Sequence, residues 1–324
     1  MPESSTPSVV AVGASAGGVE ALTAFVAHLP RDFPHAVLVT LHMPAHGTSA
    51  LAHILDRSGL LTAVTAESGM HLQPGVIYAA RPDRHLLVHD GTILLSDGPT
   101  ESGHRPSINA LFRSVALHSG PRGIGVLLSG VGDDGVEGLA AIAERGGVTV
   151  AQHPDDAVYP TLPCNAIDAI TVDHVLPVGQ IGPKLATLVI PPVDVAPPQN
   201  DRLKFEDEIA RSSRYERGPT GDNLGSPSGY VCPDCGGALI AVDDNNNYRC
   251  HIGHGWTGAA LLDAQDDRIE QALSIALRSL HERIHLATSL AVRAKAGALQ
   301  DKYRKSAHEA RTAADTLSAA LKRT

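Results

Sequence analysis

From residue 9 to about residue 190, short β-branched runs alternate with amphipathic helical patterns, which is how a parallel sheet flanked by helices is written. Residues 9–12, 36–41, 124–129 and 148–152 read as the clearest strands. Between the first two, Val19, Leu22, Phe25, Val26 and Leu29 recur at helical spacing and form one apolar stripe, the natural crossover between parallel neighbours. Residues 76–79, 85–88 and 92–95 are written differently. They are short alternating runs joined by Arg81-Pro82-Asp83 and by Asp90-Gly91, so an antiparallel hairpin flap is expected beside the main sheet. The expected class is α/β, a doubly wound, mostly parallel sheet with an antiparallel hairpin.

Beyond residue 190 the character changes. Pro191, Pro192, Pro197 and Pro198 open a polar stretch that reads as a linker, with one short helix near 205–210. A Cys/His segment follows. After it, Ile269, Leu273, Ala276, Leu280, Ile284, Ala287 and Leu290 recur at helical steps, and past Gly297 so do Tyr303, Ala307, Ala310, Ala314, Leu317 and Leu321. The expected organisation is a main domain over 1–190, a linker over 191–229, a small zinc-ribbon-like module over 230–256 and a helical hairpin over 257–324.

Composition excludes several classes of function. Hydrophobic residues are 43% of the 324 and charged residues 19%, which rules out disorder throughout. Aromatics at 3% argue against a stacking platform for single-stranded nucleic acid, and a formal charge of −9 has the wrong sign for gripping phosphate backbones. Four cysteines in a chain this long make no disulfide scaffold and point to a reducing compartment. Residues 1–8 lack the features of a signal peptide, and no stretch reaches the ~18 apolar residues of a membrane span. A soluble, cytoplasmic protein is expected, with no nucleic-acid partner and no membrane insertion.

The first strand runs into Gly13-Ala14-Ser15-Ala16-Gly17-Gly18 and then a helix, which sets a serine on a tight strand-to-helix turn of the form G-x-S-x-G. The glycines let the backbone turn sharply, and the helix N-terminus offers N–H groups to a developing oxyanion. A phosphate cradle competes at this point, although the loop lacks G-x-G-x-x-G. The second strand ends at His42 and the third opens into Gly130-Val131-Gly132-Asp133-Asp134-Gly135. Read singly, the histidine is an ordinary polar residue at a strand end and the aspartates are helix caps. Together, Ser15, His42 and Asp134 each follow the carboxyl end of an expected parallel strand, where ligands of open α/β sheets bind. Nucleophile, base and acidic orienter would converge on one rim, as acyl transfer requires.

These segments resemble a known family. Val12-Gly13-Ala14-Ser15-Ala16-Gly17-Gly18, Leu41-His42-Met43-Pro44, Arg105-Pro106-Ser107 leading to Leu111-Phe112-Arg113-Ser114, and Gly130-Val131-Gly132-Asp133-Asp134-Gly135 follow, in order, the methylesterase domain of the CheB family of chemotaxis proteins. Tyr159-Pro160 to Leu162-Pro163 and Pro74-Gly75 to His85-Leu86 fit the same pattern, and the resemblance covers roughly residues 8–190. It implies a serine hydrolase that demethylates glutamate methyl esters of chemoreceptors and, in many members, deamidates glutamines, without a catalytic cofactor. It also implies the roles: Ser15 as nucleophile, His42 as base, Asp134 as orienting acid, and the backbone N–H groups of Ala16 and Val131 as oxyanion donors. Asp133 falls where the family varies and is expected to be a cap or rim charge. The implied partner is a methylated chemoreceptor or related sensory protein. Members under phosphorylation control carry a receiver domain ahead of the esterase; with Ser15 so near the start, none is expected here.

Cys232 and Cys235 form a Cys-x-x-Cys pair, and Cys250 with His254 supplies two further ligands after 14 intervening residues. Three thiolates and an imidazole at this spacing predict a closed, structural zinc site. Redox chemistry at the first pair is the competing reading, and His251 is the rival for the fourth position. Cys164 stands apart. The two C-terminal helices are expected as an intramolecular hairpin, with self-association as the alternative. Beside the esterase stand two other functional readings, a non-enzymatic signalling scaffold and a hydrolase acting on an ester of a non-chemotaxis protein.

Overall fold

The computed structural model describes residues 7–189, 200–213, 225–242 and 247–321; the prolines that open the expected linker lie outside them. The chain divides into two units, Met1–Ala260 and Leu261–Thr324.

The first unit begins with β1 (Val9–Ala14), α1 (Gly18–Ala27), β2 (Ala36–Leu41), α2 (Leu51–Asp56), β3 (Thr62–Thr65) and β4 (Val76–Ala79). A hairpin of β5 (His85–His89) and β6 (Thr92–Ser96) follows, then α3 (Ile108–Ser119), β7 (Gly123–Leu127), α4 (Val136–Glu144), β8 (Val148–Gln152), α5 (Thr161–Ala169), β9 (His174–Leu176) and α6 (Val178–Ala186). Seven strands form one sheet in the order β3-β4-β2-β1-β7-β8-β9, every neighbouring pair parallel. Along β1 the side chains alternate between two cores. Val10, Val12 and Ala14 face α1, α2 and α6, while Val9 and Ala11 face α3, α4 and α5. Covering both faces explains why this strand is apolar at every position.

The flap expected over 76–95 needs one correction. Residues 76–79 are β4, an interior strand pairing in parallel with β2 and β3, and only β5 and β6 form the antiparallel pair. Ile77, Tyr78 and Ala79 are all buried, as an interior parallel strand demands, whereas the β5–β6 turn has Asp90 at φ 46° and Gly91 at φ 74°, the conformation of a two-residue hairpin.

The topology reverses at β1: the chain winds outward through β2, β3 and β4, then returns to place β7 on the other side of β1. The carboxyl ends of β1, β2 and β7 therefore border the crevice where such sheets bind ligands. Gly13 permits the close approach of α3 to this rim, because a Cβ there would lie 2.2 Å from Cγ2 of the fully buried Ile108. Gly13→Ala is expected to cost ~1–3 kcal/mol through overpacking, measured as a lower urea midpoint at unchanged slope.

Within the expected linker, α7 (Asp201–Arg211) lies against this unit with Leu203, Ile209 and Ala210 buried, a longer helix than the one expected near 205–210. Next, β10 (Ser226–Val231), β11 (Ala238–Ala241), β12 (Asn247–Cys250) and β13 (Gly255–Thr257) form a four-stranded antiparallel sheet. The module belongs to the same compact unit as the α/β domain.

The second unit consists of α8 (Gly258–Arg293), from residue 261 onward, and α9 (Ala298–Leu321), with Gly297 at φ 142° in the turn between them. Arg283 hydrogen-bonds Ser306, and Gln300 Nε2 donates to the Ala291 carbonyl, so the helices double back on each other. Ala287, Ala291, Ala307, Ala310 and Ala314 are buried, while Ile269 and Leu290 of the expected stripe are exposed. Small residues let the two backbones approach closely. No described helix is long and apolar enough to cross a membrane.

Candidate active site

Three strand ends supply the site. Ser15 leaves β1 with its N–H bonded to the Ser129 carbonyl at 3.0 Å, and His42 leaves β2 with its N–H bonded to the Ala14 carbonyl at 3.1 Å. The sheet's own register thus carries the two side chains to one place. Ser15 Oγ lies 3.1 Å from His42 Nδ1, and His42 Nε2 lies 2.7 Å from Asp134 Oδ2. An ionised Asp134 only accepts, so it keeps the imidazole proton on Nε2 and leaves the Nδ1 lone pair for the serine hydroxyl. Gly17, at φ 66°, turns the chain into α1, and a Cβ at Gly130 would sit 3.0 Å from the Cβ of Ser15.

Asp134 is buried on a loop yet held rigidly. Its Oδ1 accepts from the Ser107 hydroxyl (2.9 Å) and the Asn109 N–H (3.0 Å), and its Oδ2 accepts from the Ile108 N–H (2.7 Å) as well as from His42. The carboxylate thereby occupies the positive end of α3. Burial alone would push its carboxyl up. The hydrogen bond and charge of His42, the charge of His104 and the Asn109 N–H reverse that and hold it well below the usual carboxylate range. Asn109 extends the arrangement, its Oδ1 accepting from the N–H groups of Gly135 (2.9 Å) and Gly138 (2.8 Å), so α3 and the start of α4 are locked together.

One aromatic ring at the site was not singled out from the sequence. The His104 ring stacks on His42 with centroids 3.7 Å apart and planes 12° from parallel. Burial first, then the positive charge His42 would carry, lowers its pKa to about 4, so His104 is a neutral platform at physiological pH. With 17 histidines in the chain and no helical or strand pattern around this one, nothing but its place ahead of Arg105-Pro106-Ser107 marked it. An open cleft of about 410 Å³ borders this pair, lined by His42, Met43, Pro44, Asp83, Thr100 and His104 among others. A larger cavity, about 770 Å³, opens beside α4, α5 and α7 and touches none of Ser15, His42 and Asp134.

Ala16 follows Ser15 in the same turn and its carbonyl accepts from the Ser129 hydroxyl at 2.9 Å; Val131 lies on the loop after β7. Neither N–H donates to another group among the described residues. Asp133 accepts from the Thr257 hydroxyl at 3.0 Å.

The Cys/His segment brings Cys232, Cys235, Cys250 and His254 together, with ligand atoms all within 4.8 Å of one another. Cys235 and Cys250 sulfurs are 3.6 Å apart, and His254 Nδ1 lies 3.4 Å from Cys250 Sγ and 3.7 Å from Cys232 Sγ. A tetrahedral ion with bonds of ~2.0–2.3 Å places its ligands about 3.3–3.8 Å apart, so the four residues fit zinc. His251 is exposed and outside the cluster, and Cys164 sits on α5.

The profile of the CheB methylesterase family matches residues 10–185, more than half of the chain. The chain belongs to that family. It is 39% identical over 186 residues to a protein-glutamate methylesterase/protein-glutamine glutaminase of Geobacter metallireducens, and 40% identical over 188 residues to one of Anaeromyxobacter dehalogenans. Each alignment covers 56% of this chain and 51% or 52% of the relative, so the chain spans about half the length of the curated relatives it matches. The crystal structure of the Thermotoga maritima CheB methylesterase catalytic domain superposes with a TM-score of 0.54 at 31% identity, covering 57% of this chain and all of that domain. The family match ends at residue 185, and the Cys/His module and the helical pair lie beyond it.

Proposed function

We propose that the chain is a serine hydrolase that demethylates glutamate methyl esters on chemoreceptor-type sensory proteins, with Ser15, His42 and Asp134 as its catalytic residues. The observation that carries this is the unbroken hydrogen-bond chain from Ser15 Oγ through the imidazole to a carboxylate held ionised at a helix N-terminus. His42 Nδ1 takes the Oγ proton as Ser15 attacks the γ-carbonyl, and the N–H groups of Ala16 and Val131 receive the oxyanion. His42 then protonates the departing methoxide, and water attacks the acyl-enzyme by the same route to free the carboxylate. Asp134 keeps the proton on Nε2 and stabilises the imidazolium in both steps. The same chemistry with ammonia as leaving group is glutamine deamidation, which the names of the relatives include.

We also infer that Cys232, Cys235, Cys250 and His254 hold zinc as a closed structural site, since all four positions are protein ligands. Thiolate ligands and free cysteines suit a reducing cytoplasm.

Methanol release from methylated chemoreceptor membranes tests the function, using the full chain with and without prior treatment by a serine-directed fluorophosphonate. Release that the reagent abolishes is the expected result. Membranes that yield no methanol, together with a chain that takes up no reagent, would overturn the proposal.

A further inference from the structure

We propose that the Cys3His module is a positioning element of the active site, and that loading it with zinc sets how fast Ser15 reacts. The inference rests on the esterase and zinc readings above. Its basis is a short covalent and hydrogen-bonded path from the ligand cluster to His42. His254 is followed directly by Gly255, whose N–H donates to the Thr100 carbonyl (3.1 Å) and whose carbonyl accepts from the Ser102 N–H (2.7 Å). This parallel bridge adds β13 to the segment before α3. Within that segment Glu101 and His104 exchange backbone bonds of 3.1 and 2.8 Å, closing a tight turn whose last residue is the ring stacked on His42.

Two side-chain bonds reinforce the path from opposite ends of the module. Thr100 Oγ1 donates to Asp234 Oδ2 at 2.6 Å, and Asp234 lies between the ligands Cys232 and Cys235. Thr257 Oγ1 donates to Asp133, the neighbour of Asp134. Trp256 is buried against the same loop, its ring edge 3.7 Å from where a Cβ of Gly103 would stand.

Apart from the buried pairing of Arg249 with Glu206 and Glu101, the described module has little else to fix these contacts. Its buried apolar side chains are Leu239 and Trp256, together with the ligands Cys232 and Cys250, and a sheet of this size relies on its metal to hold its strands. Without the metal, the strand end that carries Gly255 and Thr257 loses its anchor at His254. The loop under His104 then keeps its Glu101 ion pairs but loses its β13 bridge, and displacements of about 1 Å at a catalytic group cost on the order of 100-fold in rate.

Trp256 is the only tryptophan of the chain, which makes the docked module directly observable. The full chain would be loaded with Zn²⁺ under reducing conditions and then stripped with a chelator, following tryptophan emission and the rate of fluorophosphonate labelling at Ser15 in the same samples. The expected result is a red shift with a ~10- to 100-fold slower labelling rate, both restored by Zn²⁺ alone. Thr100→Val, which removes the bond to Asp234, should slow labelling of the zinc-loaded chain, and Thr100→Ser should recover it. A merely structural hydroxyl would change melting temperature without changing the labelling rate of folded protein.

A red shift with an unchanged labelling rate overturns this inference and leaves the zinc and esterase readings standing. A chain that takes up no Zn²⁺ overturns it together with the zinc reading. Labelling absent in both states overturns it together with the esterase reading.

Discussion

Ser15→Ala is expected to lower methyl-ester hydrolysis by roughly 10⁴- to 10⁶-fold while leaving the melting temperature where it is. The two halves of that expectation have separate grounds. Chemically, the variant keeps an intact His42–Asp134 pair but has no atom for His42 to deprotonate, and residues that act as a unit lose nearly everything when one is removed. What survives comes from substrate binding and from the oxyanion donors, whose N–H groups belong to the backbone. Structurally, among the described residues the Ser15 hydroxyl hydrogen-bonds only with His42, while the bond that fixes its position is made by its own N–H to Ser129. Deleting the hydroxyl leaves that bond in place. Steady-state methanol release and a thermal melt on the same preparation check both halves. A variant that retains a tenth of the activity would remove Ser15 from the mechanism. Asp134 offers a poorer test, because its carboxylate also caps α3 through Ser107, Ile108 and Asn109, and its loss would mix catalysis with stability.

The parts of this molecule that were legible in the sequence are those written by local physics. Interior strands such as β1 and β2 are buried on both faces and so read as continuous β-branched runs; α1 shows its stripe because one face meets the sheet. Edge strands carry no such signature. β3 is four residues long with mixed burial and β9 three residues long and half-buried throughout, and neither stood out from the surrounding loops. The pairing of β4 was misread for a related reason. Alternation specifies a strand, but its partner is set by the crossover, which lies far away in sequence. At the site, Ser15, His42 and Asp134 were visible because each follows a strand and belongs to a family pattern. The roles of Asn109, of His104 and, although it lies in a family segment, of Ser107 were not, since their contacts to Asp134 and His42 span 25 to 62 residues and depend on how a helix end meets a loop. The clustering of Cys232, Cys235, Cys250 and His254 was legible from their spacing, yet nothing local showed that the module would lie beside the active-site loop.

The contact that joins module and domain most firmly is a buried ion cluster, and it carries the second large prediction. Arg249, next to Cys250 on β12, forks onto Glu206 of α7 and lies 3.4 Å from Glu101, which pairs with Arg113 of α3. All four side chains are less than a tenth exposed. Arg249→Ala leaves two buried carboxylates with one cation, and breaking such a cluster costs about 3–5 kcal/mol, far beyond a surface ion pair. Denaturant unfolding at neutral pH should show that loss. Burial pushes the Glu101 carboxyl up, but Arg113 and Arg249 outweigh it and bring it to about 2, from an ordinary value of 4.5. Because the folded value is the lower one, the stability it confers is fully present above pH 4.5 and drains away as the pH falls towards 2. Removing Arg249 raises the carboxyl back towards its ordinary value and so removes part of what acid would have removed. The gap between wild type and variant should therefore be widest near neutral pH and narrow steadily below pH 4.5. A gap that stays constant down to pH 3 would mean that Arg249 contributes through the packing of its methylenes rather than through its charge. Arg249→Met, which keeps most of those methylenes, then separates the two accounts: it restores stability if packing dominates and remains as weak as alanine if the charge does.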